Sequence, residues 1–204
     1  MTVPLGGSIR AVHRESRSYG RAVVAALILA TMAIAVPPAL ADNFGTNDST
    51  TGPFADDASH DYCWGPGFDA ALKDNANNAM SNLDIQTVMT DLYQANCDVV
   101  GTDIWWFDAD LPPATRGLYH CVTWVTYGSI CNSADVKLDP AEINIGSNDE
   151  LDTTKSACHE VGHSVGMAHS GTDDDCMRSG EIPNTNVQYQ QYNSHHRGHI
   201  NDRY

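Results

Sequence analysis

The run His159-Glu160-Val161-Gly162-His163-Ser164-Val165-Gly166-Met167-Ala168-His169 constrains this chain more than any other stretch. Residues four apart on an α-helix differ by about 40° in azimuth and one turn in height, so His159 and His163 project two imidazoles from one face. Glu160, about 100° round from His159, is placed to touch a water beside that pair and to act as general base. A third imidazole, His169, would lie about 15 Å further along a continuous helix. It can join the first two only if the helix stops. Gly166 stands where the stop is needed, because glycine accepts the left-handed conformation that ends helices and turns the chain back. Ala157, Cys158, Val161 and Val165 give the helix an apolar back, and Asp152 or Thr153 is a candidate cap for its start.

This pattern, H-E-x-x-H-x-x-G-x-x-H, followed by a methionine in Cys176-Met177-Arg178-Ser179, resembles the signature of the metzincin metallopeptidases. The resemblance implies an α+β zincin fold: a twisted mixed sheet with helices, an active-site helix, and a small C-terminal subdomain with a methionine turn and a terminal helix. It also implies one catalytic Zn2+ held by His159, His163 and His169, with Glu160 as the catalytic base and Met177 as an apolar floor. Ser170, after the third histidine, and the eight-residue step from His169 to Met177 are similar to the matrixin branch. An astacin-like chain would carry Glu at position 170 and Tyr at position 179, where this one has Ser179. The chain departs from animal matrixins in showing no cysteine-switch propeptide, second zinc site or Pro-x-Tyr wall. Arg178-Ser179-Gly180-Glu181-Ile182-Pro183 follows the methionine instead, so side-chain preference does not transfer. In that family the edge strand just before the helix pairs with an extended substrate, a role this assigns to Ile143, Asn144 and Ile145, with an ordinary strand as the alternative.

Residues 1–41 have the form of an export signal. Arg10, Arg14, Arg17 and Arg21 precede an apolar run over 22–36, and Ala39-Leu40-Ala41 fits a cleavage site. Cleavage there would start the mature chain at Asp42. It would remove four of 11 basic residues and one of 26 acidic ones, leaving 7 − 25 = −18. So acidic a protein is a poor partner for nucleic acid or an anionic membrane. Residues 42–60 are polar and read as a mobile arm or short pro-segment, and 61–204 as one catalytic domain.

All six cysteines, Cys63, Cys97, Cys121, Cys131, Cys158 and Cys176, follow the signal, and an even count in an exported chain suggests three disulfides. Fifteen pairings are formally possible; the favoured set is Cys63 with Cys97, Cys121 with Cys131, and Cys158 with Cys176. The alternative for Cys63 is a latency switch on the metal. Helical spacing predicts helices over 68–80 and 84–95, and β-branched and aromatic runs predict strands over 104–107, 118–127, 136–138 and 142–145. Trp105, Trp106 and Trp124 read as core, and 186–204 as a terminal helix. His195 and His199 share metal-ligand spacing without a third ligand and read as packing or surface residues. Asp173-Asp174-Asp175 reads as a solvated acidic loop, with calcium as the alternative.

The function these readings favour is a secreted, monomeric zinc endopeptidase acting on protein or peptide substrates. The rivals are a secreted zinc-binding or adhesion module without turnover and a cell-wall peptide amidase. Glu160 argues against the module, since a structural zinc site needs no base and usually has a fourth protein ligand.

Overall fold

In a computed structural model the described residues are 53–98, 100–170 and 174–204. The proposed signal and the first part of the proposed arm, through residue 52, lie outside them. Five strands form one sheet: β1 (Phe54–Ala55), β2 (Tyr62–Trp64), β3 (Ile104–Asp108), β4 (Gly117–Thr126) and β5 (Ile130–Leu138). β1 and β3 pair with β5 in parallel, β2 extends the parallel set beyond β3, and β4 pairs antiparallel with β5 alone among the described residues. β4 is therefore the antiparallel edge of a mixed sheet. Residues 53–60 belong to the folded body rather than to a mobile arm, because Phe54 and Ala55 pair with Ile130 and Cys131.

The helices are α1 (Lys73–Gln86), a single turn α2 (Pro140–Ile143), α3 (Asp149–Ser164) and α4 (Ser194–Arg203). Ala76, Ala79, Met80 and Leu83 repeat at helical spacing and form the fully buried face of α1. That face lies on α3, and α3 lies on β4 and β5. Ile104, Trp106, Val136 and Leu138 from the sheet meet Ala157, Val161 and Val165 from α3 in one core. Asn75 ties α1 to α3 by donating to Thr154 Oγ1 at 2.9 Å. Trp106 is core as expected, and Trp124 packs at the core's edge.

Two expected elements are corrected. The helix over 84–95 does not form, because Thr87 ends α1 in an extended conformation, its hydroxyl donating to Leu83 O. The next residues run beside 58–62 through His60 N to Thr90 O and Tyr62 N to Leu92 O. Backbone pairing to a distant segment overrides the helical spacing there, and of its apolar residues only Met89 is buried while Ile85, Val88 and Leu92 stay exposed. Nor does the strand over 142–145 form. Asp139 caps α2 by accepting from Ala141 N and Glu142 N, with Pro140 at the first helical position. Ile143 is consequently buried within a helical turn, and Asn144 and Ile145 follow it as exposed loop. The terminal region is a 3-10 turn at Val187–Gln190 and then α4, rather than one helix.

All three favoured disulfides are present: Cys63 with Cys97, Cys121 with Cys131, and Cys158 with Cys176. Among the described residues no helix is long and apolar enough to cross a membrane.

Two stability predictions follow from buried polar groups. Asp139 is buried and also accepts from Leu111 N at 2.7 Å, so Asp139→Ala leaves three amides without their acceptor. Urea unfolding should show a loss of about 2 kcal/mol. His60 is buried, and its Nε2 lies 2.7 Å from Ser164 Oγ, whose hydroxyl donates to Val161 O. Burial pushes its pKa down to about 4. The unfolded chain takes up a proton below about pH 6.5 that the folded chain refuses until about pH 4, so this contribution is lost as pH falls through that window. Between pH 7 and pH 4 the wild type should lose roughly 3 kcal/mol more stability than His60→Gln.

Candidate metal centre

α3 begins four to five residues earlier than the sequence suggests, with Asn148 as its N-cap. Asp152 and Thr153 therefore lie inside the helix and are buried rather than capping it. The far end is as expected. Gly166 has φ +92°, and two backbone bonds close a Schellman motif, Met167 N to Gly162 O at 2.9 Å and Gly166 N to His163 O at 3.1 Å. The chain then reverses and carries His169 back to the helix.

His159, His163 and His169 each offer one ring nitrogen within 4.8 Å of the others. His159 Nδ1 lies 2.8 Å from Cys176 O, and His163 Nδ1 lies 2.8 Å from Met167 O. A carbonyl only accepts, so both Nδ1 atoms carry the proton and both Nε2 atoms present lone pairs. Nε2 of His169 is 3.2 Å from Nε2 of His163, while its Nδ1 is 3.1 Å from Ser179 Oγ. Burial above all, then the positive charge of Lys155 and the neighbouring His163, hold His159 well below the usual imidazole pKa. Three neutral nitrogen donors converging on one point suit a borderline cation such as zinc, and the second partners on Nδ1 are those that metal-ligating histidines use.

Met177 is fully buried beneath this group, and a Cβ on Gly162 would fall 2.2 Å from its sulfur, so only glycine permits the contact. The segment before it is tied to α3 twice, through the Cys158 disulfide to Cys176 and the hydrogen bond from His159. Asp175 holds the same segment from within: its carboxylate accepts from Ser170 Oγ and Met177 N, with His196 Nδ1 of α4 at 2.6 Å. His195 and His199 meet edge to face at 4.5 Å between ring centroids and form no three-residue ligand group among the described residues. Of the acidic triplet, Asp173 is outside the described residues, Asp174 accepts from Tyr189 and Asp175 is buried. The triplet is thus not simply a solvated loop.

The three histidines and Glu160 open onto a cleft of about 430 Å³ bordered by 114–119 of β4 and its approach, and by Ser179 and Gly180. Glu160 is buried, which pushes its pKa up to about 8 against the pull of Lys155 and the backbone N–H of Tyr119. The cleft thus brings together His159, His163, His169 and Glu160. It does not include Ile143, Asn144 or Ile145; the backbone along its rim is that of β4 instead.

Three contributors were missed in the sequence. Lys155 is one helical turn before His159 on the same face, a spacing that was readable. Its ammonium donates to Gly180 O at 3.1 Å. Arg116, just before β4, stands 3.7 Å from Asp152 and 3.8 Å from Glu181. Ser179, noted only for not being tyrosine, partners His169.

No protein-family model matches this chain, and no curated protein matches its sequence. Among solved structures it is similar to high choriolytic enzyme 1, a hatching enzyme zinc-protease from Oryzias latipes (medaka fish), with a TM-score of 0.33 and 14% identity. The match covers 62% of this chain and 50% of that one, so it spans about half the length of the fish enzyme. What the cleft can do is therefore read from its own residues.

Gly166→Ala tests the helix stop. The backbone is left-handed there, and the new Cβ would fall 2.6 Å from the Phe54 ring. The variant should lose about 1–3 kcal/mol in urea unfolding. Disturbing the Met167 carbonyl that orients His163 should also weaken zinc binding by about 10–100-fold in competition with a fluorescent chelator.

Proposed function

We propose that this protein is a secreted zinc-dependent endopeptidase of the metzincin type, nearest the matrixin branch, that works as a monomer. The observation that carries the reading is the convergence of three neutral imidazoles beside the buried carboxylate of Glu160, in a cleft bordered by an unpaired strand edge. His159, His163 and His169 would hold the zinc. When bound, that ion supplies Lewis-acid polarisation of a carbonyl and of water.

The chain's own groups do the rest. Glu160, raised into the range where a carboxylate both takes and returns protons near neutral pH, accepts the proton of the attacking water and delivers it to the leaving amine. The free edge of β4 offers main-chain donors and acceptors to an extended peptide, as in other strand-addition modes. Buried Met177 and the Cys158–Cys176 bridge keep the histidines from shifting as substrate enters. Ser170 and Ser179 support the matrixin reading, since Ser179 contacts His169 where a tyrosine would mark the other branch. The signal-like residues 1–41 and the three disulfides support export to an oxidising compartment.

Purified protein loaded with zinc should hydrolyse fluorescent casein and lose the activity to a chelator. Glu160→Ala should keep one zinc per chain by elemental analysis while its turnover falls by about 10²–10⁴-fold. A fully active Glu160→Ala protein would overturn the mechanism, and a zinc-loaded wild type that cleaves no member of a diverse peptide library would favour a module without turnover.

A further inference from the structure

The cleft carries positive charge that the proposed chemistry does not use. The protein as a whole has 26 acidic residues against 11 basic ones, yet the side chains lining the cleft include two cations, Arg116 and Lys155, and one carboxylate, Glu160. Two acids outside the cleft's lining share Arg116, Asp152 at 3.7 Å and Glu181 at 3.8 Å, and each is also held by a backbone amide. Asp152 Oδ1 accepts from Ile182 N at 2.9 Å and Glu181 accepts from Ser147 N at 2.8 Å, and neither residue lines the cleft.

Several donors here have hydrogen-bonding capacity unused among the described residues. Ser156 Oγ and Arg116 Nη1 are buried without a hydrogen-bond partner, although Arg116 Nη2 donates to Ile145 O at 3.1 Å, and Ser156 as a whole is 3% exposed. Lys155 is equally buried, and its ammonium spends one of three protons, on Gly180 O. Donors without acceptors are costly to bury, charged ones most of all. Solvent does not reach the Ser156 and Arg116 atoms in the free protein, so the cost of leaving them unpaired stands until an acceptor enters the recess. An ammonium, a guanidinium and a hydroxyl grouped beside a reaction centre match a carboxylate, which is acceptor-only and offers two oxygens.

We propose that the recess formed by Lys155, Ser156 and Arg116 binds a carboxylate of the substrate next to the scissile bond, with Lys155 as the principal specificity residue. This rests on the peptidase reading of the same cleft. Lys155 lies one turn before His159 on α3, so a group bound to it sits beside the peptide bond held over the histidines. The carboxylate has two possible sources, an Asp or Glu side chain within the peptide or the free C-terminus of a peptide cut close to its end. The protein's overall negative charge repels acidic peptides at long range, but at physiological salt that repulsion is screened beyond about 8 Å. The recess then decides.

The test compares peptides differing only by Glu against Gln, or Asp against Asn, at each position around a cleaved bond, each made as free acid and as C-terminal amide, at physiological salt. Zinc-loaded wild type should show kcat/KM about tenfold higher for the acidic member at one position flanking the cut. In Lys155→Met that ratio should fall to within about twofold, and in Ser156→Ala it should fall part of the way. Glu160→Ala should bind the acidic peptide more tightly than its amide isostere, which reads recognition without turnover. If the preference survives C-terminal amidation the carboxylate is a side chain; if amidation abolishes cleavage it is the terminus. Equal rates for acid and isostere at every position, in both terminal forms, would overturn the proposal and leave the peptidase reading intact. Absence of any cleavage by zinc-loaded protein would overturn both. The isostere pairs use wild type alone, so a Lys155→Met protein that fails to fold leaves the test standing.

Discussion

The tie between α3 and the segment around Cys176 is the constraint on which the rest of this structure depends. Neighbouring residues of the helix hold one residue of that segment in two ways: Cys158 by a covalent bond and His159 by a hydrogen bond to the Cys176 carbonyl. The disulfide closes a loop with a sequence separation of 18, for which chain-entropy arguments give about 3 kcal/mol. The stabilisation matters less than the position it enforces. With Cys176 fixed, Met177 must lie against Gly162 on the turn between the two helical histidines, and the following residues must pass along the cleft. Asp175 adds the C-terminal helix to the same knot through His196. Sheet, helix and tail thus converge under one ring of imidazoles.

α3 is chemically divided along its length. Towards its C-terminal end burial keeps His159 unprotonated, as a metal ligand must be. Its first half carries Asp152 and Lys155, both buried, and faces Arg116 just before β4. Buried charges of this kind are weak sources of stability, because desolvation offsets much of their attraction. Their geometry is specific, however. Asp152 fixes Ile182 N and Lys155 fixes Gly180 O, so the charged half of the helix sets the course of 178–183, the stretch for which the sequence offered no pattern. The wall of the cleft is held here by charge where the family resemblance would have led one to look for proline and tyrosine.

What was legible in the sequence was local or chemically closed. The histidine spacing and the glycine stop follow from helix geometry within eleven residues, Met177 came from the family resemblance, and six cysteines in an exported chain suggested three disulfides while fifteen pairings stayed formally open. What escaped depended on partners distant in the chain. The apolar spacing of 84–95 fits a helix, but only the fold reveals that 58–62 runs alongside it and takes its backbone bonds. Ile143, Asn144 and Ile145 have strand-like side chains, yet an Asp-Pro pair just before them nucleates a turn of helix. The edge that borders the cleft is decided by the antiparallel pairing of β4 with β5, a topological fact with no local signature. Asp152 was read as a cap because acids favour helix starts; it lies one turn further in, where its carboxylate serves a distant amide.

The three candidate ligands are not equally constrained, and the difference follows from how each was brought to the site. His159 and His163 come from a rigid helix, and backbone carbonyls, which can only accept, fix both tautomers. His169 arrives through the reversal at Gly166, and its Nδ1 meets the hydroxyl of exposed Ser179, which can donate or accept. Its Nε2 stands 3.2 Å from Nε2 of His163, so in this structure one proton lies between the two rings. A metal held by all three rings would have to displace that proton. Ser179 also lines the cleft beside Gly180. The residue that steadies His169 therefore belongs to the same wall that Lys155 and Asp152 hold in place, and the proposed metal and substrate sites would share one short segment of chain.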